Sequence, residues 1–326
     1  MISIVSPIYN EAENLEELVQ RVILAMESTS EEFEYILVEN GSTDNSLDII
    51  QSLHGKDPRI KYLSLSRNFG HQGGIFAGLS YACGNAVVSL DGDLQQAPEL
   101  IPSMIKRWKQ GYDVVYTTKK ETHPQIGLRL FFRRWFYRVI SFVADINLSY
   151  GQSDFRLLDR KVVDELKNIP EKRKFLRGLV DWVGFKQSGI EYEVDPRKYG
   201  KSKFSLWNYL GFAMDGILSF SSIPLRIFLY FGLGIALLCF IYVFYAVGIS
   251  FAHLMGYKSY TLPPGWLSVS VSILFLGAVQ MIGIGILGEY IGRIFTQTKG
   301  RPEFIVKECG LEENTPKSRK KDLRIG

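Results

Sequence analysis

Three cysteines in 326 residues, at 83, 239 and 309, are too few and too widely spaced for a disulfide framework, and none forms a CxxC metal pair. No GxxxxGK[ST] phosphate loop occurs anywhere. The GIGILG run at 283–288 matches GxGxxG in letters, but it lies inside an uncharged stretch with no strand before it, so it is not a dinucleotide site. Gly288 and Gly292 read instead as a small-residue face for helix packing. Excess charge is also missing: a formal net charge of +4 is too small to imply nucleic-acid binding. The opening MISIVSPIYNEAENLEE has acids in its first turns and no basic leader, which argues against a signal peptide.

What is present is uneven along the chain. With 46% hydrophobic residues, 22% charged and a mean hydropathy of +0.03, the chain is too apolar for an ordinary soluble enzyme and too charged for a pure membrane bundle. A soluble part joined to a membrane part fits both numbers. ISIVSP, EYILVEN, IKYLSLS and NAVVSLDGD read as strands rich in Ile and Val. Asn14 opens NLEELVQRVILAM, whose apolar positions recur at helical spacing behind early acids. Strands and helices alternating at these lengths predict βαβ units and a mostly parallel sheet. Ligands of such sheets bind beyond the carboxyl ends of the strands, where SPIYNE, ENGSTD and DGDLQ all fall.

From about residue 125 the pattern changes. QIGLRLFFRRWFYRVISFVAD interleaves Arg129, Arg133, Arg134 and Arg138 with Phe131, Phe132, Trp135, Phe136 and Tyr137. Such a segment suits a helix in a membrane interface, about 125–145, and equally a helix packed on the sheet with its arginines in water. Two later runs, about 225–251 and 266–290, are of spanning length, and the uncharged stretches Ile227 to Phe251 and Trp266 to Gly288 form their cores. Two transmembrane helices are therefore expected within 223–295, preceded by an amphipathic juxtamembrane helix over 205–222. The connector between them carries one lysine, whereas Arg226 precedes the first run and Arg293, Lys299 and Arg301 follow the second. That asymmetry predicts a cytoplasmic domain over residues 1–204 and a cytoplasmic basic tail over 296–326.

SLDGDLQQAPE, residues 89–99, sets Asp91 and Asp93 two apart just past an apolar run. Their repulsion costs free energy unless a cation lies close by, and oxygen ligands of this kind suit Mg²⁺ or Mn²⁺ that keeps open positions for substrate phosphates. A DG turn at a hairpin corner is the other reading of the same letters.

SPIYNEAENL, VENGSTDNS, SRNFGHQGG and SLDGDLQQAPE, in this order and spacing, resemble the family 2 glycosyltransferases of GT-A fold. The likeness is greatest to the polyprenyl-phosphate glycosyltransferases, which include the dolichyl-phosphate mannose synthases and the bacterial polyprenyl-phosphate glucosyltransferases. It continues through SDFRLLDRKVVDEL, KFLRGLVDWVGFKQ and RKYGKSKF to the paired C-terminal runs, and so covers almost the whole chain. The resemblance implies that Pro7, Tyr9 and Glu11 line a nucleoside pocket and that Glu39 accepts a hydrogen bond from the base. It implies that Asp91 contacts nucleotide and metal, while Asp93 and Gln95 hold the metal against the diphosphate. Asp154 and Arg156 would face the reacting sugar and the acceptor phosphate, and Arg197, Ser202 and Lys203 would clamp phosphates. Two departures stand out. Asn40 occupies the position before Gly-Ser where the family usually has a carboxylate, and Lys119 or Lys120 stands where an arginine often follows the strand.

The reaction so implied is inverting transfer of a hexose, glucose from UDP-glucose by the closest likeness, to a membrane polyprenyl phosphate. Partners would be the nucleotide-sugar, the lipid phosphate and the bilayer, with no nucleic acid; the glycine face permits a homo-oligomer. A GDP-mannose-dependent enzyme and an inactive nucleotide-binding scaffold are the alternatives. A processive synthase is disfavoured because MIKRW and FFRRW both lack the glutamine of QxxRW.

Overall fold

The computed structural model describes residues 1–119, 152–171, 174–192, 223–255 and 265–311. Within these, the chain divides into two compact units, one made of Met1–Gly216 with Gly300–Gly326 and the other of Ile217–Lys299.

The first unit is built on β1 (Ile2–Ile8), β2 (Phe33–Glu39), β3 (Ile60–Leu65) and β4 (Ala86–Ser89), all mutually parallel in the order β4-β1-β2-β3. β1 and β2 are buried along their whole length, so they are rich in Ile, Val and Leu, and their polar residues Ser3, Ser6 and Glu34 are hydrogen-bonded inside. Helices α1 (Leu15–Glu27), α2 (Ser46–Lys56) and α3 (Gly70–Tyr81) make the crossovers. On α1 the buried residues Leu15, Leu18, Val19, Val22, Ala25 and Met26 recur at helical spacing and form its core stripe. After a short 3₁₀ turn at Pro98–Leu100 come α4 (Ile101–Lys109), β5 (Val114–Lys119), β6 (Gln152–Asp159), α5 (Arg160–Asn168), α6 (Leu176–Trp182) and β7 (Gln187–Tyr192). The sheet reads β7-β5-β6-β4-β1-β2-β3-β8, with β6 antiparallel to both β4 and β5. Because β6 runs backwards, its first residues arrive at the carboxyl end of β4, Ser89 facing Arg156.

Proline in a central strand normally removes a ladder bond. Here it does not. The Val5 carbonyl accepts from Leu90 on the β4 side, and alternation sends the Pro7 backbone the same way, beyond the last β1–β4 pair at Val5 and Ser89.

The eighth strand corrects the domain boundary expected at residue 296. β8 (Val306–Gly310) pairs antiparallel with β3 and covers the sheet edge, so this stretch belongs to the first unit rather than to a tail. Ser66 N–H donates to Ile305 O, and Phe304 is buried against Phe76 and Tyr81.

The second unit is a pair of long helices, α7 (Ile223–Leu254) and α8 (Trp266–Thr298). One stretch among the described residues, Phe275–Thr298, is long and apolar enough by length and composition to cross a membrane, where the sequence led to two. The other expected span coincides with α7, whose side chains are only partly described. The ring of Phe228 lies over Gly283, which has no side chain to obstruct it. Gly288 and Gly292, expected at the packing face, have nothing within 4 Å of a Cβ built on them, so the close approach within the hairpin falls one turn earlier.

A buried carboxylate ties β2 to its surroundings. Glu34, 2% exposed, accepts from Ser3 Oγ at 2.6 Å, Cys83 N–H at 2.7 Å and Lys61 Nζ at 2.8 Å. Burial alone would raise its pKa, but Lys61 and the two donors outweigh it and hold the carboxyl below its ordinary value. Its contribution is therefore present in full above the unfolded value of about 4.3 and is lost as pH falls through the lower folded one. Glu34→Ala is expected to cost about 1–3 kcal/mol at neutral pH. Thermal unfolding in detergent checks this: the Tm gap to wild type should shrink on acidification, and an equal Tm at neutral pH would refute it.

Candidate active site

Four loops meet at the carboxyl edge of the parallel strands. The loops after β1 and β2 are joined through Asn10, a non-glycine residue in the left-handed region at φ 53°. Its Oδ1 accepts from Thr43 N–H at 2.7 Å and its own N–H donates to Ser42 Oγ at 3.1 Å. Glu11 and Ala12 add bonds from their N–H groups to Ser46 Oγ and Asp44 Oδ2. The result is one stiff wall made from two strand ends. Pro7 closes β1 within the buried core, Tyr9 sits half-buried just beyond, and Glu11 accepts from Asn14 Nδ2 at 2.7 Å.

Glu39, expected to meet a base, is instead 3% exposed. One carboxylate oxygen accepts from Ser42 N–H, the other from Ser64 Oγ at 2.7 Å. It fixes the loop behind the wall. Asn40 explains its own departure from the family pattern. Its Nδ2 donates to Gly70 O at 2.9 Å and its Oδ1 accepts from Phe69 N–H at 3.0 Å, so it bridges the β2 loop to the start of α3. A carboxylate could accept from Phe69 but could not donate to Gly70.

The acidic motif follows β4. β4 leads through a left-handed Leu94, φ 59°, into the turn before α4, which excludes a hairpin corner. Asp93 Oδ1 accepts from Gln95 N–H at 3.2 Å and shapes that turn. The glutamine side chain that reaches Asp91 is Gln96, not Gln95: its Nε2 donates to Asp91 Oδ2 and to Ser153 Oγ, and its Oε1 accepts from Asp91 N–H. Gln96 is 4% exposed and links the β4 loop to β6.

Asp154, on β6, is the focus of the site. Arg177 grips it with a fork, Nε to Oδ1 at 2.7 Å and Nη2 to Oδ2 at 2.8 Å. His71 Nε2, at the start of α3, lies 3.4 Å from Asp154 Oδ2 and 3.3 Å from Asp91 Oδ1. Burial alone would raise the Asp154 pKa, but Arg177 and His71 hold it well below the usual carboxylate range. The surrounding protein alone would pull His71 down, yet Asp91 and Asp154 push it up to about 9, so it is a cation at neutral pH. Asp91 moves upward, through burial first and then through the carboxylates of Asp154 and Asp93, against the opposing pull of His71.

Arg156, which the resemblance set toward the acceptor phosphate, is buried. It is 4% exposed, its Nη2 donates to Ser153 O at 3.1 Å, and burial lowers its pKa against the opposing charge of Asp154. A phosphate would have to displace that cover to reach it. Lys119 ends β5, but its side chain falls outside the described residues, as do Lys120, Arg197, Ser202, Lys203 and the segments 125–145 and 205–222.

Among the described residues no three His, Cys, Asp or Glu side chains converge in a metal-binding group. A divalent ion at the motif would therefore take one or two carboxylates from the protein and complete its shell with substrate oxygens and water, as Mg²⁺ commonly does. Burial first, then the neighbouring Asp154 and Asp93, disfavour the charge on Asp91, and a cation at the motif would offset that cost. The residues present fit the ion.

Parallel strands that gather an acidic motif at their carboxyl edge, with a reversed strand bringing a further carboxylate, make an α/β sheet of GT-A type. Comparison with known proteins makes this specific. The chain belongs to glycosyl transferase family 2, whose sequence profile matches residues 3–167, and the profile described as the GtrB C-terminal hairpin matches residues 223–294. It is 43% identical over 312 residues to the uncharacterized glycosyltransferase YkcC of Bacillus subtilis (strain 168), covering 95% of this chain and 94% of that protein. It is 39% identical over 308 residues to the prophage bactoprenol glucosyl transferase homolog of Escherichia coli (strain K12), covering 94% and 98%. The bactoprenol glucosyl transferase of Shigella phage SfV is 38% identical over 306 residues, again covering 94% and 98%.

Proposed function

We propose that this glycosyltransferase moves a hexose, glucose from UDP-glucose, onto the phosphate of a membrane polyprenyl and releases the nucleoside diphosphate. The observation that carries the reading is identity near two-fifths, end to end, with bactoprenol glucosyl transferases. The cleft chemistry agrees with it. A phosphate monoester has a second pKa of about 6 and is largely dianionic at neutral pH, so it needs no strong base. Asp154, held ionised by Arg177 and His71, is a poor base and a good anchor. In the reaction an acceptor oxygen forms a bond to the anomeric carbon from the face opposite the diphosphate. The bond to the diphosphate oxygen breaks and its electron pair leaves with that group, so the configuration inverts. Mg²⁺ or Mn²⁺, when bound, supplies positive charge at the departing diphosphate. Asp91 and Asp93 would hold it. Pro7, Tyr9 and Glu11 are the proposed nucleoside wall, with Glu39 supporting it from behind.

The membrane part of the proposal rests on charge and length. The apolar stretch Phe275–Thr298 of α8 crosses the bilayer, with Arg293, Lys299 and Arg301 toward its cytoplasmic end. Keeping the isoprenoid in the bilayer avoids exposing it at about 0.8 kcal/mol per CH₂. The test is a donor screen with purified protein, undecaprenyl phosphate and Mg²⁺, reading labelled lipid. Label from UDP-glucose is the expected result; label only from GDP-mannose would replace the donor, and no labelled lipid from any nucleotide-sugar would refute the acceptor.

A further inference from the structure

Asp154 is where three separate elements meet, and the residue that brings them together is one that a sequence reading passes over. Arg177 lies one residue into α6, in KFLRGLV, where it looks like an ordinary basic residue on a short amphipathic helix. In the fold it reaches β6 and takes both oxygens of Asp154, at 2.7 and 2.8 Å. The same carboxylate lies 3.4 Å from Gln72 Nε2, and Gln72 Oε1 accepts the N–H of Leu176, the neighbour of Arg177, at 3.3 Å. α6, β6 and α3 are thus closed into a ring. From that ring His71 extends to Asp91, 3.3 Å away.

We propose that Arg177 is a positioning residue for glycosyl transfer: by fixing both oxygens of Asp154 it sets the place of His71 and so of the acidic motif. The proposal rests on the transfer reaction given above. An ion pair that served folding alone would need only a charge near Asp154. A fork that orients needs both of its nitrogens, because a planar guanidinium holds a carboxylate at two points whereas an ammonium meets it at one and leaves it able to rotate. Asp154 is 7% exposed in its side chain and Arg177 29%, so the carboxylate is enclosed while the guanidinium keeps some access to solvent. A rotation of Asp154 would carry away the partner of His71 and with it the spacing to Asp91. Misplacement of reacting groups on that scale costs about 100-fold in rate.

The test uses the full chain in detergent with UDP-glucose and undecaprenyl phosphate. Arg177→Lys, which keeps the charge, should lower kcat about 100-fold with the donor KM within about threefold and thermal unfolding close to wild type. Because Arg177 acts through Asp154, the two losses should not multiply: adding Arg177→Ala to Asp154→Asn should reduce the residual rate no further. Multiplying losses, or full activity in Arg177→Lys, would overturn the proposal. If Arg177→Ala fails to fold, Arg177→Lys carries the test alone, and adding Arg177→Lys to Asp154→Asn supplies the cycle. Failure of the function reading looks different, since wild type itself would then label no lipid.

Discussion

Asp93→Ala is expected to lower kcat for glycosyl transfer by about 1,000-fold or more while leaving the protein folded. Two roles of the side chain have to be separated. Its Oδ1 accepts from Gln95 N–H at 3.2 Å, so part of any loss could come from a slackened turn, and a bond of that kind contributes about 1 kcal/mol. Its charge is the other role: it adds, after burial and Asp154, to the upward shift of Asp91, and it would hold the ion with Asp91. Asp93→Asn distinguishes the two, because an amide oxygen keeps the turn and loses the charge. Equal losses in both variants, with unchanged thermal unfolding, are the expected outcome. Recovery of activity in Asp93→Asn would mean that the turn matters and the charge does not.

The second large effect is on the backbone. Gly41 sits at φ 71°, and a Cβ built on it would lie 2.5 Å from the backbone carbon of Arg67 and 2.5 Å from the backbone nitrogen of Asn68. A side chain there pays twice, for the left-handed conformation and for pushing one backbone off another. Gly41→Val should cost about 2–5 kcal/mol and abolish transfer, because the loops after β2 and β3 can no longer close on each other. Gly70 is the internal control. It has φ 81° with nothing within 4 Å of its built Cβ, so Gly70→Ala carries only the conformational part, about 1–2 kcal/mol. Equal destabilisation of the two variants, measured by thermal unfolding, would contradict the close approach at Gly41.

The contrast between these glycines shows what a sequence can and cannot disclose. Asn-Gly at 40–41 announces a tight turn, and the structure has one. That Asn40 must donate to Gly70 O, which a carboxylate cannot do, is a fact about a loop thirty residues away. The parallel strands were legible because burial on both faces leaves short runs rich in Ile, Val and Leu. β8 was not, since VKECG is short, half polar and follows the long helices, and only the open edge of β3 makes it a strand. Spacing singled out Asp91 and Asp93 and the resemblance Asp154; that His71 joins Asp91 to Asp154 is visible only in the fold. Gln96, His71 and Arg177 gained their places through contacts between distant segments, which no local period encodes. Arg156 shares a face with Asp154 by β alternation, and its burial at 4% exposed is set by the strands around it rather than by its own motif.

The central claim is that Asp91 and Asp93 bind a divalent ion together with a donor's diphosphate, and Mn²⁺ electron paramagnetic resonance with UDP present measures it without relying on turnover. The account predicts that wild type converts free Mn²⁺ to a protein-bound signal only when UDP is added, and that Asp91→Asn with Asp93→Asn does not. Mn²⁺ and UDP bound as tightly by the double variant as by wild type would contradict it.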